Sequence, residues 1–276
     1  MRNRTALRLC MVVLLVASSV PESRASDGKD LDAYKIRITG SWWLANPSGS
    51  FHSSGNQGSF DLQRDFGFSN YSTFSGKIDY RFARKHHLTF GVSPLYNSKS
   101  TTLARTVEFQ GQTYAVGAKA SADIRSLLFA PGYQYDILRR NRGYLAIVTE
   151  MNFIDTKATI TGEATVTAPG GGTTTAIKSA SGSVLAPLPV VGMGFRWYPS
   201  RDSGRIALDG RADGMYFFGY GSFWSANGAM SYGLSQHWKL RGGYQVGTRL
   251  KITGSSDQIG LRLTQKGPLV GVEASW

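Results

Sequence analysis

The 276 residues are enough for one large β domain or two small ones. They include 33 glycines, 12% aromatic residues and a hydrophobic fraction of 41%, below the usual soluble range. After the N-terminus no run of about 18 apolar residues occurs, which excludes a transmembrane helix there; a mean hydropathy of -0.20 does not exclude a barrel, whose hydrophobicity hides in alternation.

The first 25 residues have the pattern of a secretory signal. Arg2, Arg4 and Arg8 make a positive start, 9–20 an apolar core, and Ser23-Arg24-Ala25 offers small residues where a signal peptidase reads. Cleavage removes four arginines and Glu22, a net +3, so the formal +13 becomes +10 for residues 26–276. Cys10 leaves with the signal, so the mature chain has neither a disulfide nor a thiolate metal site. For an exported basic chain, phosphate-rich lipid headgroups are the expected acidic neighbours, and nucleic acid is not.

After a polar lead-in at 26–33 the chain alternates with period two, which sends successive side chains to opposite faces of a strand. The first strand sets Tyr34, Ile36, Ile38, Gly40 and Trp42 against Lys35, Arg37, Thr39 and Ser41, and a Ser- and Gly-rich loop is expected over 46–61. The second, 74–82, turns Phe74, Ile78, Tyr80 and Phe82 outward and Lys77, Asp79 and Arg81 inward. The third carries Leu88, Phe90, Val92, Pro94 and Tyr96 and is read as continuing through Val107 and Phe109 to a turn at Gly111. The fourth shows Leu127, Phe129, Pro131, Tyr133, Tyr135 and Ile137. The fifth sets Leu145, Ile147, Met151 and Phe153 against Glu150 and Asn152, then runs as a Thr-rich ribbon to Gly170-Gly171-Gly172. No helix start follows those glycines to cradle a phosphate.

Strand six has Leu185, Val191, Met193, Phe195 and Trp197, with Pro187 and Pro189 predicting a bulge or a break in pairing. Strand seven turns Ile206, Leu208, Ala212, Tyr216 and Phe218 outward and Asp209, Arg211 and Asp213 inward. Strand eight sets Trp224, Ala226, Met230, Tyr232 and Leu234 against Ser225, Asn227, Ser231 and Ser235. Residues 239–253 alternate most strictly: Leu240, Gly242, Tyr244, Val246, Thr248, Leu250 and Ile252 oppose Lys239, Arg241, Gly243, Gln245, Gly247, Arg249 and Lys251. The tenth strand, 258–276, changes phase near Gly267-Pro268, which reads as a bulge, and points Glu273 inward.

Short polar turns near 83–86, 138–142, 199–204 and 235–238 alternate with longer connections near 46–61, 97–112, 165–175 and 253–257. Many alternating strands without helical period predict an all-β, single-domain, antiparallel up-and-down barrel of about ten strands. Eight and twelve strands remain as alternatives. Short turns on one side and long loops on the other match a barrel with both termini in the periplasm.

The chain ends LVGVEASW, with Val270, Val272 and Ala274 alternating into a terminal Trp276. This resembles the closing strand of Gram-negative outer-membrane β-barrel proteins, whose assembly machinery recognises a strand ending in Phe or Trp. Ala274 stands where an aromatic residue is common in that family. The resemblance implies an outer-membrane location, Trp276 as the assembly signal, and no particular activity.

Some barrels of this kind are lipid A deacylases, palmitoyl transferases or omptin-type proteases, with His beside Ser, Asp or Glu at the outer rim. Here His86, His87 and His237 fall on expected periplasmic turns, and His52 lies beside Ser50, Ser53 and Ser54 with no nearer downstream carboxylate than Asp61 and Asp65. No His or Cys spacing suggests a metal, and no cofactor is implied. The inward charges are more telling: Lys35, Arg37, Lys77, Asp79, Arg81, Glu150, Asp209, Arg211, Asp213, Arg241, Arg249 and Glu273 would share one lumen. Burying them requires that they pair, which predicts a salt-bridged plug; a basic channel for small anions is the alternative. Trp42, Tyr80, Tyr96, Tyr133, Tyr135, Trp197, Tyr216, Trp224 and Tyr244 suit interfacial girdles, and Arg64, Lys99, Arg105, Lys157 and Lys178 are placed to meet lipopolysaccharide phosphates. The reading taken is a non-enzymatic structural or interaction protein. A narrow pore and a lipid-modifying enzyme built on His52 are the alternatives.

Overall fold

A computed structural model describes residues 30–53, 58–167, 173–200, 204–217, 221–252 and 260–276. The signal at 1–25, Gly170-Gly171-Gly172, Phe218 and the connection 253–257 lie outside the described residues. The elements are β1 (Ile36–His52), β2 (Ser59–Asp61), α1 (Leu62–Phe66), β3 (Tyr71–Ala83), β4 (His86–Thr102), β5 (Val107–Phe109) and β6 (Gln112–Tyr114), followed by seven longer strands. These are β7 (Lys119–Arg140), β8 (Gly143–Thr167), β9 (Thr173–Trp197), β10 (Ile206–Phe217), β11 (Gly221–Gly233), β12 (Trp238–Ile252) and β13 (Gly260–Ser275).

Ten strands, β1, β3, β4 and β7 to β13, pair antiparallel in chain order, and β13 returns to β1 from Arg37↔Ser275 to His52↔Gly260. The ring is closed, which removes the sheet's edges. Trp276 completes the seam: its N–H donates to the Ile36 carbonyl at 2.9 Å, and its carbonyl accepts from Ile36 N at 3.0 Å and from Lys35 N.

Alternation then decides what faces out. Trp42, Phe74, Phe90, Phe129, Phe195 and Val270 are 40–61% exposed and form one apolar belt around the ring. A belt of that extent has no stable place in water, and it is the lipid-facing surface of a membrane barrel. The termini share one end with the β3–β4, β7–β8, β9–β10 and β11–β12 connections, and the two longest connections of the ring, 53–70 and 103–118, leave the other end. The protein is a ten-stranded outer-membrane β-barrel.

The walls are unequal. β8 and β9 have 25 residues each, against 12 in β10 and about 9–11 needed to cross a bilayer. Where the tall strands leave the membrane, the polarity of their faces inverts while the phase is kept. On β8 the outward row passes from Phe153 to Asp155 and Lys157, and the inward row from Asn152 to Ile154, Ala158 and Ile160. Outside, the wall is wet; inside, it supports a second core.

This inversion corrects several expectations. Residues 46–52 are not loop: β1 continues to His52, and only then does the chain fold into β2 and α1. β4 does not run on through Val107 and Phe109; those residues form a separate β5–β6 hairpin turning at Gln110 and Gly111, both at positive φ. β13 keeps its phase through Gly267-Pro268, its inward odd positions changing from Glu273 to Leu269, Gln265 and Leu261. The bulge lies opposite, in β12, where register shifts between Gln245 and Thr248. Pro187 and Pro189 interrupt nothing on the β8 side, where pairing is continuous, and the β9–β10 ladder stops just below them at Gly214↔Val191. A strand edge tolerates the missing donors.

Candidate functional site in the lumen

Inward side chains fill the barrel in tiers. At the periplasmic mouth Glu273, fully buried on β13, accepts both guanidinium nitrogens of Arg196 from β9 at 2.7 and 2.8 Å, with Arg37 at 3.5 Å and Lys239 at 3.9 Å. The lead-in chain then turns back into the mouth. Asp32 is buried there, paired with Arg37, 3.4 Å from Arg196, and accepts the Tyr198 hydroxyl at 2.9 Å. Burial alone would raise the Asp32 carboxyl, but Arg37, Arg196 and Arg139 outweigh it and hold it below the ordinary carboxylate range. Burial also pushes the Tyr198 phenol up, aided by Asp32, so it remains a neutral donor.

Beside this cluster, His87 lies between two carboxylates, Asp79 at 2.9 Å and Asp136 at 3.2 Å. Tyr34 donates to Asp79 at 2.9 Å, with the Arg37 guanidinium 3.7 Å from its ring centroid. Arg139 joins Asp136 at 2.9 Å to Asp30 at 3.0 Å. Higher up, Arg211 bridges Glu150 at 2.6 Å and Asp213 at 2.7 Å, and Arg241 meets Asp209 at 2.5 Å. Such paired geometry makes the burial of so many charges tolerable.

Alongside these charges runs a cavity of about 350 Å³, whose lining reaches down to Glu273, Arg196 and Arg37. Lys77, Glu150, Arg211 and Arg241 also line it, together with Trp43, Leu95, Leu128 and Leu269. Over it the outer loops fold inward. Phe60 stacks on Phe51 at 5.2 Å and meets Phe66 and Phe109 edge-on at 5.4 and 5.1 Å, all against the apolar inner face of β7–β9. Helix α1 is capped by Asp61, which accepts from Gln63 N at 3.0 Å and Arg64 N at 2.8 Å, and it ends on Gly67 at φ 62°. Asp65 ties it to the next loop through Arg105 at 2.5 and 2.7 Å. Burial would raise the Asp65 carboxyl, but the bonds from Arg105, the Asp61 amide and Arg64 bring it below its usual range.

Of the charges read as inward, Arg37, Lys77, Asp79, Glu150, Asp209, Arg211, Asp213, Arg241 and Glu273 line the lumen cavity. Arg81 faces the periplasmic rim, donating to the Asp32 carbonyl at 3.2 Å. Lys35 does not belong: it precedes β1 on a bend and is exposed. The side chain of Arg249 lies outside the described residues. Tyr34 and His87, expected on an outward face and on a turn, are both buried inside. Asp136, Arg196 and Lys239 occupy the inward phase of their strands and were legible by period; Asp32 belongs to no strand and carried no such signal, and Tyr34, read as the outward start of the first strand, precedes β1.

At the outer rim Ser50 Oγ lies 3.2 Å from His52 Nε2 in an exposed position, while Ser53 is buried and accepts the Gln110 amide. Asp61 and Asp65 are both engaged at α1. Among the described residues no group of His, Cys, Asp or Glu is arranged to hold a metal. Arg64 and Arg105 both contact Asp65, and Lys157 and Lys178 are exposed on the tall wall.

No protein-family model and no curated protein matches the sequence. Solved structures similar in fold include the outer membrane protease OmpT of Escherichia coli, at 9% identity and TM-score 0.46 over 87% of this chain and 96% of that one. Ail, the attachment invasion locus protein of Yersinia pestis, is similar at 10% identity and TM-score 0.36, over 87% and 99%. The toluene transporter TodX of P. putida follows at 8% and 0.35, over 91% of each.

Proposed function

We propose that this protein is a non-enzymatic outer-membrane barrel, closed to ions along its axis, whose work is done by its extracellular walls. What supports this reading is two packed clusters in series along the axis: the Glu273–Arg196–Arg37–Asp32 charges at one end, and the Phe51–Phe60–Phe109 core at the other. A plug of paired charges resists opening because separating any pair leaves a buried charge exposed to its desolvation penalty.

The outer face of the tall wall supports a lipopolysaccharide-facing role. Arg125 and Lys157 are cross-strand neighbours just above the belt residues Leu127 and Phe153, and Arg125 sits 5.3 Å from the Tyr96 ring. That is the height of lipid phosphates. Trp276, closing the ring against His237 and Trp238, supports recognition of the last strand by the barrel-assembly machinery. Replacing Arg125 and Lys157 together by Gln tests the surface role. Co-purifying lipopolysaccharide should fall several-fold while heat-modifiable gel mobility stays unchanged, and unchanged lipopolysaccharide would remove this surface from the account.

A further inference from the structure

The barrel wall is not zipped to the same height everywhere. The β3–β4 ladder runs from Ala83↔His86 to Gly76↔Val92 and stops, although β3 continues to Tyr71 and β4 to Thr102. The next hydrogen-bonded pair in this register is Phe74 with Pro94, and Pro94 has no N–H to give. Its carbonyl does face β3, where it accepts the Thr73 hydroxyl instead. In an antiparallel strand the N–H and C=O of one residue point to the same neighbour, so the missing donor is the one aimed at β3.

Both sides of this gap line the lumen cavity: Thr73, Ser75 and Lys77 on β3, Ser93 and Leu95 on β4. On the outside Phe74, Val92 and Tyr96 are 40–50% exposed, so this unzipped stretch, bridged by the Thr73 hydroxyl, lies against hydrocarbon. Unpaired strand edges are not tolerated against lipid unless they border a cavity, and this pair does.

Lys77 stands at the foot of the gap. Its side-chain ammonium makes no hydrogen bond or ion pair with any described residue, although Glu150 and Asp79 attract it from a distance. Glu150 is already taken by Arg211 at 2.6 Å, and Asp79 by His87 and Tyr34 at 2.9 Å. The cavity lining also includes the apolar side chains Leu95, Leu128, Leu263 and Leu269. At roughly 30 Å³ per water-sized group, about 350 Å³ holds about a dozen heavy atoms.

We propose that the lumen binds a single-chain anionic amphiphile that enters from the bilayer through the β3–β4 gap, its acid group on Lys77 and its chain against the leucines. A two-chain lipid exceeds the cavity, and a purely polar anion does not collect at a hydrocarbon-facing opening. The route is lateral, so it stands apart from the axial closure.

Decanoate, with about a dozen heavy atoms, is the probe, and decanol its uncharged match. The barrel purified from outer membranes should bind radiolabelled decanoate saturably, at one per barrel. Lys77→Met should weaken decanoate at least tenfold and leave decanol within twofold. The second arm does not depend on how that variant folds. Ser75→Cys with Ser93→Cys places two thiols one step beyond the last pair, Gly76↔Val92, where a disulfide would hold the two strands together. Oxidation should slow decanoate uptake at least tenfold, and reduction should restore it in the same sample. Binding that ignores both changes, or an unmodified barrel that takes up no decanoate saturably, overturns the proposal.

Discussion

Glu273 belongs to the last strand yet joins β13 to β9, β1 and β12 through one carboxylate. Removing one member of a buried ion pair costs about 3–5 kcal/mol, because its partners keep their charge without an answer. Glu273→Gln should therefore lower the unfolding free energy of the detergent-refolded barrel by about that amount, read from urea midpoints. Asp65 gives a pH-dependent case. Its carboxyl is lowered in the folded chain, so its contribution is complete above the unfolded value near 4 and is lost as pH falls through the folded one. Asp65→Asn should speed amide exchange across 61–68 several-fold at neutral pH after correction for intrinsic rates. The difference from the natural chain should close in acid. At this scale the sequence was partly readable. Period two exposes Lys77, Asp79 and Arg211, but Asp32 enters the lumen through a non-repeating lead-in that no period describes, and Tyr34, read as outward, precedes β1.

Strands were easiest to read where they cross the lipid, because there the two faces differ most in chemistry. Above the membrane that contrast reverses. Asn46, Pro47 and Ser48 look like loop because their outward neighbours no longer need to be apolar, although β1 continues through them. The same reversal on β13 imitates a phase change at Gly267-Pro268. Prolines mark where ladders end rather than where strands break: Pro94 at the β3–β4 gap, Pro187 and Pro189 beyond the last β9–β10 pair. Pro94→Ala restores the missing donor, so the Phe74 and residue-94 amides should become protected and their exchange slow at least tenfold. Unchanged Phe74 exchange would mean that the ladder ends there for another reason.

At the scale of the whole molecule the barrel holds an ionic cluster at the end that carries the termini and an aromatic core at the other. Architecture and strand number followed from alternation and from turn lengths. The outer core did not, since the β2–α1 segment and the β5–β6 hairpin are short, and their burial depends on a wall assembled from distant strands. Two clusters in series have a consequence that one would not have. Excising 104–117 removes Val107, Phe109 and Tyr114 from the outer core and should leave the barrel non-conducting, because the charges at the other end are untouched. Planar-bilayer recording of the refolded, heat-modifiable barrel is the direct measurement. A silent bilayer at moderate voltage, despite verified insertion, is the expected result. Discrete, ion-selective steps from the unaltered protein would show that the paired charges line a pathway, and would contradict it.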